Sequence, residues 1–311
     1  MPKAFVFWAV QSTSAPRDIK IIFAFASIYI IWGSTYLGIY YAIQSIPPLM
    51  MAGIRFVVVG IIWYLITKLY YKESFNYHLW RFGAISGFLL FFIGNGAVVL
   101  AERHLPTGLV SILAGTVPFW LLIMDARSGM SRFKNPLTWL GLIIGFAGVF
   151  ILFSDKINFN NHTPGLTSSL ITMVIGAISW ALGTLYSKYS EVRGSTLAKV
   201  SVQALTSGLF LLIGAAYTGE FSDFHFSQVT AVSWGALAYL ILFGSMIGYF
   251  SYLWLLSKVS AHAVGTYAFV NPMVAVALGT LIAGELFVVR EYIALIAIIL
   301  GLVALYFSKK Y

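Results

Sequence analysis

The chain has 311 residues, of which 60% are hydrophobic and 9% are charged, compared with about 45–50% and about 25% in an average soluble domain. So few charged side chains cannot cover the core of a water-soluble protein of this length, and the composition therefore predicts a membrane protein. The net charge of +9 is spread singly between apolar runs, which argues against a nucleic-acid-binding face. The absence of cysteine excludes disulfides, zinc–thiolate sites, iron–sulfur clusters and a cysteine nucleophile.

Ten apolar stretches approach the length of about 20 residues that a helix needs to cross the hydrocarbon core. In chain order they cover residues 21–43, 49–66, 82–101, 107–124, 137–153, 165–187, 200–217, 231–256, 262–284 and 292–307. The stretches are continuously apolar rather than alternating, which predicts helices and not the strands of a β-barrel. The sequence therefore predicts an all-α polytopic membrane protein with ten transmembrane helices.

Lysine and arginine are distributed unevenly between the connections of these helices. If the N-terminus is cytoplasmic, fifteen of the nineteen basic residues fall in cytoplasmic segments, three fall outside, and Arg55 lies within the second span. Positively charged loops are retained on the cytoplasmic side. We therefore expect a multi-pass protein of a bacterial inner membrane with both termini in the cytoplasm. With five helices in each half, the two halves insert in opposite orientations.

The sequence also contains an internal repeat, offset by about half the chain. When Pro118 is aligned with Pro272, LPTGLVSILAGTVP lies over VSAHAVGTYAFVNP. The first helix of each half carries a matching element, with Trp32 over Trp180. We predict two inverted five-helix repeats at residues 21–153 and 165–307, an outer linker at 154–164, and cytoplasmic tails at 1–20 and 308–311.

Several short motifs, taken together, resemble those of a known family. They are IWGSTY at 31–36, PPLMMAGIRF at 47–56, GNG at 94–96, LPTG at 105–108 and YAFVNPMVAVALGTLIAGE at 267–285. On these motifs, residues 20–308 resemble the EamA type of the drug/metabolite transporter superfamily. Within it the chain looks most like inner-membrane transporters of undefined substrate, and more distantly like exporters of aromatic amino acids. The resemblance implies two inverted five-helix repeats and transport of a small molecule, without naming the cargo.

Aromatic and polar side chains share faces of several spans, as expected of a mostly apolar substrate pocket. On the first helix Tyr29, Trp32, Tyr36 and Tyr40 form one stripe at helical spacing. The middle of the stripe favours a cavity, whereas its ends could form an interfacial belt or a packing face. The candidate substrate-binding residues are Trp32, Thr35, Tyr36, Tyr40, Asn95, Thr116, Trp120, Trp180, Thr184, Tyr249, Tyr252, Tyr267 and Asn271. For Asn95, hydrogen bonding between helices is the more common role of such an amide.

Pro118 and Pro272 are expected to kink or gate the fourth and ninth helices, because proline lacks an amide hydrogen and clashes with the preceding turn. A static kink that only shapes packing is an equal alternative. Arg55 is the basic residue within a span, a costly placement that makes it a functional candidate. It either attracts an anion or pairs at a gate with an outer acid such as Glu102 or Glu285, or is a structural arginine bonded to helix ends, or extends outward to the membrane surface.

All ten acids and all five histidines lie in connections or at span ends, so no titrating group is predicted at mid-membrane. The predicted function is export of amphipathic metabolites, such as amino acids and aromatic compounds, down their own gradient and by alternating access. Proton-coupled antiport through Glu102 or Glu285 and a channel-like protein are the alternatives. An enzyme is not predicted, because no mid-span acid, histidine or cysteine could activate a nucleophile. The expected partners are a small-molecule substrate and the lipid bilayer, with no nucleic acid, cofactor or metal, in a monomer or alternatively a dimer.

Overall fold

The computed structural model describes residues 17–125, 133–154 and 165–308, and these ranges form long helices joined by short connections. The helices are α1 (Ile19–Ala42), α2 (Pro48–Tyr70), α3 (Tyr77–Ala101), α4 (Thr107–Met124), α5 (Pro136–Ser154), α6 (Leu166–Tyr189), α7 (Thr196–Tyr217), α8 (Ala231–Lys258), α9 (Tyr267–Ile282) and α10 (Val289–Phe307). Shorter helical turns at Glu220–Asp223, Phe226–Gln228 and Ala261–Val264 lie in the connections before α8 and α9.

Eight of the helices in these ranges are long and apolar enough to cross a membrane, by length and composition. The other two apolar helices, Pro136–Ile151 within α5 and the whole of α9, are shorter. Each stretch predicted from the sequence coincides with a helix, although α3 begins at Tyr77 instead of residue 82 and α7 at Thr196 instead of residue 200. The first sixteen residues of the expected N-terminal tail, the linker after residue 154 and the tail after residue 308 lie outside the described residues.

Hydrogen bonds between connections assign them to two ends of the helix bundle. At one end, the amide of Thr230 in the α7–α8 connection donates to Ser45 Oγ in the α1–α2 connection, at 3.1 Å. At the other end, Asn135 Nδ2 before α5 donates to the carbonyl of Ser308 after α10, at 2.8 Å. We call the first the Glu102 end, because it also holds the α3–α4 connection with Glu102, and the second the Ser308 end.

Helix contacts in the first half of the chain have counterparts in the second half. α2 packs along α7, α4 along α9, and α5 along α10. α1 lies against α8 and α9, as α6 lies against α3 and α4. If each helix of the first half is exchanged with the helix five positions later in the chain, the same set of helix contacts results.

α2 and α7 approach each other closely along glycine residues. A Cβ atom on Gly60 would lie 2.6 Å from the backbone nitrogen of Leu205. A Cβ atom on Gly208 would lie 2.6 Å from the backbone nitrogen of Val57. Because small residues let helix backbones pack in lipid, a larger side chain at either glycine would push the two helices apart.

Acidic side chains also hold the first turns of these two helices. Glu220, after α7, accepts hydrogen bonds from the amides of Leu49 (3.3 Å) and Met50 (2.8 Å) at the start of α2. Glu73, after α2, accepts a hydrogen bond from the amide of Ser195 just before α7, at 3.1 Å. A carboxylate is favourable at a helix N-terminus because it satisfies free amides and complements the helix dipole. α2 and α7 are thus each tied to the connection that follows the other.

The fourth and ninth predicted spans are interrupted at Gly-Thr pairs. In α4 the turn lies at residues 115–116, between Thr107–Ala114 and Val117–Met124. In the ninth span it lies at residues 265–266, directly before α9. At both turns the threonine hydroxyl donates to the carbonyl three residues earlier, at 2.7 and 2.6 Å. The hydroxyl therefore satisfies a carbonyl at each break.

The expectation that Pro118 and Pro272 are themselves the interruptions requires correction. Pro118 lies in the first turn of the second segment of α4, where a missing amide hydrogen breaks no helical bond. Pro272 lies inside the continuous helix α9, after the break at 265–266. The turns instead form where glycine and threonine, both weak helix formers, stand together.

π-helical turns occur in several helices that meet at the centre of the bundle. They are Ser27–Ile31 in α1, Phe88–Asn95 in α3 and Leu240–Tyr249 in α8, and a further one ends α2 at Ile66–Tyr70. A π-turn widens the helix locally and is often found at functional sites. The turns of α3 and α8 occupy helices that correspond in the contact pattern described above.

Candidate functional site

A cavity of about 80 Å³ lies where helices of both halves meet. Its wall comes from α1 to α4 and from α6, α8 and α9, and Arg55 belongs to it. Eight of the thirteen predicted substrate-binding residues line it, namely Trp32, Thr35, Tyr36, Asn95, Trp180, Tyr249, Tyr267 and Asn271. The space holds several water molecules but is smaller than the roughly 300–1,000 Å³ of ordinary ligand pockets. A metabolite can therefore enter only if side chains or helices move.

Five aromatic side chains close this cavity toward the Ser308 end. We call Trp32, Trp180, Tyr249, Tyr252 and Tyr267 the aromatic cluster. Trp32 is at its centre, with its ring centroid 5.7 Å from that of Trp180, 5.0 Å from that of Tyr252 and 5.3 Å from that of Tyr267. On α1, α6, α8 and α9, the cavity-lining residue nearest the Ser308 end is a member of this cluster. On these four helices the cluster therefore lies between the cavity and the Ser308 end.

Five predicted residues lie outside the cavity wall: Tyr40, Thr116, Trp120, Thr184 and Tyr252. Tyr252 and Thr184 form the layer directly behind the wall, where their hydroxyls hydrogen-bond to each other. The ring of Tyr40 packs on Tyr41 at 5.2 Å, and Trp120 packs on Phe146 of α5 at 5.5 Å. The hydroxyl of Thr116 is used by the turn in α4. Tyr40, Thr116 and Trp120 therefore do not line the cavity, and their rings or hydroxyl make the other contacts just described.

Three cavity-lining side chains keep a buried polar atom that has no hydrogen-bond partner among the described residues. These atoms are Asn95 Oδ1, Trp180 Nε1 and Arg55 Nη1. The expected helix-to-helix hydrogen bond of Asn95 is therefore not made by its oxygen. Asn271 makes such a bond instead, since with its amide nitrogen turned toward α1 it donates to the carbonyl of Tyr29 at 2.8 Å. Buried polar groups are normally paired, so the three unpaired atoms are available to a ligand or to water.

Arg55 lies in the cavity wall and does not extend outward to the membrane surface. Its side chain is 4% exposed, and its Nε donates to Ser245 Oγ of α8 at 2.7 Å. The guanidinium carbon lies 5.0 Å from the centroid of the Phe56 ring. No hydrogen bond joins Arg55 to Glu102, whose two oxygens have no partner among the described residues, although the two charges interact electrostatically, so the predicted charge pair stays a prediction. Glu285 instead accepts hydrogen bonds at the start of α4. The partner that Arg55 has in the structure, Ser245, was not predicted from the sequence.

Glu102 and Glu285 lie at the same end of the bundle but differ in their bonding. Glu285 accepts hydrogen bonds from the amide (2.7 Å) and hydroxyl (3.0 Å) of Thr107 and from the amide of Gly108 (3.3 Å). Glu102 is 6% exposed, and neither of its oxygens accepts a hydrogen bond from the residues that the structure describes. Burial raises the pKa of Glu102 well above its usual range; the carboxylate of Glu285 raises it further, and the guanidinium of Arg55 opposes the rise. Glu285 therefore caps a helix, whereas Glu102 is a buried acid without a structural bond.

Gln203 of α7 is a further polar residue next to the cavity that the sequence analysis missed. Tyr249 Oη donates to Gln203 Oε1 at 2.7 Å, and Gln203 Nε2 donates to Ser86 Oγ at 2.8 Å and to Ser187 Oγ at 3.1 Å. Ser187 lines a second cavity of about 210 Å³ toward the Ser308 end. A single glutamine inside an apolar span was the signal for this contact, since polar side chains in spans are rare and usually paired.

Comparison with known proteins places this site in a family context. A sequence model described as the EamA-like transporter family matches residues 19–154 and again residues 167–307. The "Uncharacterized inner membrane transporter YedA" of Escherichia coli (strain K12) is 34% identical, covering 92% of this chain and 90% of the relative. The "Uncharacterized transporter YvbV" of Bacillus subtilis (strain 168) is 28% identical, covering 84% and 83%. The "Probable amino-acid metabolite efflux pump" of Escherichia coli (strain K12) is 23% identical, covering 88% and 91%.

A protein of known crystal structure also shares the fold, with a TM-score of 0.66 over 94% of this chain and 99% of that chain, at 15% identity. The two family matches include most of the chain, and these relatives align along most of their length. The resemblance inferred from the sequence motifs is thereby confirmed. The names of the relatives indicate a transporter of the inner membrane rather than an enzyme. The chain belongs to the EamA-like transporter family.

Proposed function

We propose that the protein is a secondary transporter that exports small amphipathic metabolites, such as amino acids and aromatic compounds, by alternating access through the central cavity. The observation that carries this proposal is a cavity between both halves, with aromatic walls and three unpaired polar atoms. Apolar walls with a few placed polar groups are typical of small-molecule sites. Transporters with inverted repeats hold their substrate where the repeats meet. Export agrees with the name of one relative, an amino-acid metabolite efflux pump.

The same proposal includes the arrangement that such transport needs, in which all ten helices span the membrane as two inverted repeats at 21–153 and 165–307. The exchange of helix contacts between the halves supports it. The π-turns of α3 and α8, and the reciprocal hydrogen bonds of Glu73 and Glu220, follow the same exchange. The two separate matches to one family model agree with it.

Alternating access is supported by a cavity on each side of the aromatic cluster. The central cavity lies on one side, and the cavity of about 210 Å³ that includes Lys188 and Lys199 lies toward the Ser308 end. In an open channel the two spaces would be continuous, whereas here the two cavities have no lining residue in common. The break at residues 265–266 directly precedes Tyr267 of the cluster and could act as a hinge. We therefore favour a carrier over a channel, and saturable flux with competition between solutes is the expected behaviour.

Two modes of energy coupling are open to this carrier. The absence of acids from the middle of the spans supports export driven by the gradient of the solute itself. The buried Glu102, whose pKa is raised by burial, supports proton-coupled transport as the second candidate. Solute flux in proteoliposomes that continues unchanged without a pH gradient favours the first mode, and flux that stops favours the second.

Comparison of culture media from cells with and without the protein tests the transport function. Cells with the wild-type protein are expected to accumulate particular amino acids or aromatic metabolites outside. Trp32→Ala and Trp180→Ala should abolish the difference, because both rings line the cavity. Trp139→Phe is the matched control and should behave as wild type, since Trp139 is exposed on α5, which does not contribute to the cavity wall. Identical media with and without the wild-type protein would refute the proposal.

The orientation in the membrane is also proposed, with both termini in the cytoplasm. The distribution of lysine and arginine supports it. A C-terminal reporter that is active only in the cytoplasm should give signal, and one that is active only outside should not. The reverse result would contradict the inverted orientation of the two halves.

A further inference from the structure

Arg55 carries a positive charge in the cavity wall without a bonded counter-ion. Its Nε donates to the neutral hydroxyl of Ser245, and its Nη1 has no hydrogen-bond partner in the described part of the chain. The side chain is 4% exposed, so water cannot fully solvate the guanidinium. A buried charge without a partner is strongly unfavourable. The site therefore favours an anionic group that can reach Nη1.

The guanidinium lies between the backbone of α8 and the cavity. A Cβ atom on Gly244 of α8 would lie only 3.0 Å from Arg55 Nη2 and 2.8 Å from Thr35 Cγ2, so the glycine lets Nη2 pack against α8 while Arg55 still lines the cavity. A guanidinium binds a carboxylate through two parallel hydrogen bonds, which is a stronger arrangement than a single neutral bond. The same cavity contains the unpaired acceptor Asn95 Oδ1, which suits an N–H donor. A small molecule with a carboxylate and an amine or ammonium group satisfies both.

We propose that Arg55 binds the carboxylate of the transported metabolite, and that Glu102 is the alternative counter-charge of Arg55 and takes up a proton when that carboxylate binds. The inference rests on the proposed function, because it names the chemical class of solute that the same cavity accepts. Among the candidate cargoes it selects those with a free carboxylate, such as amino acids, over amines, amides and sugars.

Glu102 is placed to respond to the charge on Arg55 without touching it. The two groups interact electrostatically, although neither oxygen of Glu102 accepts a hydrogen bond. The ionisable groups around Glu102 are Tyr36 from α1, Arg55 from α2, Glu285 from the α9–α10 connection, and Arg103 and His104 from its own connection. α6 contributes no ionisable side chain between Leu166 and Leu185. Arg55 is thus the cation that opposes protonation of Glu102 from the cavity side.

A carboxylate bound to Arg55 cancels the positive charge that opposes protonation of Glu102, so Glu102 then binds a proton more tightly. Linkage is reciprocal, and protonation of Glu102 must therefore strengthen carboxylate binding by the same factor. Burial already raises the pKa of Glu102, so the pH at which Glu102 takes up its proton lies closer to physiological pH than for an exposed carboxyl. The proton and the carboxylate accordingly bind together.

Binding to the purified, full-length protein tests the role of Arg55. The fluorescence of the tryptophans in the cavity reports binding of three acid–amide pairs: L-phenylalanine and L-phenylalaninamide, L-leucine and L-leucinamide, and L-methionine and L-methioninamide. At least one acid should bind, and about tenfold or more tightly than its amide. Arg55→Gln should weaken that binding by about 30-fold or more, and Arg55→Lys should retain part of it. Binding of none of the three acids, equal binding of acids and amides, or unchanged binding by Arg55→Gln overturns the proposal.

The pH dependence of the same binding tests Glu102. Between pH 8 and pH 6 the wild-type affinity should rise as the pH falls, by at most about tenfold for each pH unit. Glu102→Gln, which resembles the protonated form, should bind with the wild-type low-pH affinity at every pH. Glu73→Gln, at the Ser308 end, is the matched control and should keep the wild-type pH dependence. A Glu102→Gln variant that keeps the slope, or that loses binding while Arg55→Lys retains it, overturns the role of Glu102.

The outcomes separate this inference from the proposed function. Cells that excrete only metabolites without an anionic group would support transport and overturn carboxylate recognition. If the purified protein binds the acids as described but expression leaves the culture medium unchanged, the transport proposal fails and the binding site stands.

Discussion

Glu285 and Glu102 belong to neighbouring connections at one end of the bundle, yet their surroundings differ completely. Glu285 accepts three hydrogen bonds at the start of α4, and its charge is matched by the helix N-terminus. Glu102 is buried, interacts electrostatically with Tyr36 and Arg55, and accepts no hydrogen bond from the described residues. From the sequence both are simply acids at the ends of apolar spans. The comparison shows that hydrogen bonding, and not position along the chain, separates an acid that holds a helix terminus from one with no hydrogen bond to the described residues.

Loss of the Glu285 carboxylate should have the largest effect on stability. Glu285→Ala leaves two amides and one hydroxyl without their acceptor, and we expect the free energy of unfolding to fall by about 2–4 kcal/mol. Thermal unfolding in detergent measures this. The exposed Glu191 provides the control, since Glu191→Ala should change stability by no more than about 0.5 kcal/mol. Equal stability of the two variants would mean that Glu285 does not cap α4.

The second pair of acids sharpens the comparison within the scaffold. Glu220 is buried and accepts two amide hydrogen bonds, whereas Glu73 accepts one at a more exposed position. Glu220→Ala should therefore lower the free energy of unfolding by about 1–2 kcal/mol and Glu73→Ala by less than about 1 kcal/mol. The same unfolding measurement checks the order. If Glu73→Ala lowered the free energy of unfolding more than Glu220→Ala, exposure would not explain the difference between these two hydrogen-bonded acids.

Glu102→Gln should have the smallest effect, and its effect should depend on pH. Because burial raises the pKa of Glu102 in the folded protein, the folded state binds more protons than the unfolded state above the unfolded pKa of about 4.3. Stability therefore decreases as the pH rises from that value through the raised pKa. The wild-type protein should unfold at a higher temperature at pH 5.5 than at pH 8, and Glu102→Gln should show a smaller difference. An unchanged difference would assign the pH dependence to other groups.

Hydropathy was enough to locate the helices, because the length of the hydrocarbon core fixes how long an apolar run must be. The spacing of aromatic residues also identified part of the cavity wall, since the middle of the stripe, at Trp32 and Tyr36, faces the other half of the chain. The same spacing failed at Tyr40, which packs on Tyr41 near the end of α1. Periodicity gives the face of a helix on which a residue lies. It does not give the depth at which the cavity ends.

Other features of the site depend on tertiary contacts that a single sequence does not encode locally. The pairing of Arg55 with Ser245 joins residues on α2 and α8, and the neighbouring acids looked like equally good partners before the structure was known. The helix-to-helix hydrogen bond expected of Asn95 is made by Asn271 for the same reason. Only the position of α1 in the folded protein decides which of the two amides meets a carbonyl. Gln203 could have been found, because a single amide inside an apolar span signals a partner.

The close glycine contacts between α2 and α7, and the hydrogen bonds that Glu73 and Glu220 accept at the starts of these helices, also affect how the protein can change shape. Backbones in such close contact leave no space for sliding, so the two helices are expected to travel as one rigid block while the helices around the aromatic cluster rearrange. Cross-links between pairs of engineered cysteines can test movement within the block and movement across the cavity separately. The chain contains no native cysteine that would form other cross-links. A cross-link within the block should leave flux intact, whereas one that joins α1 to α6 across the cavity should arrest it.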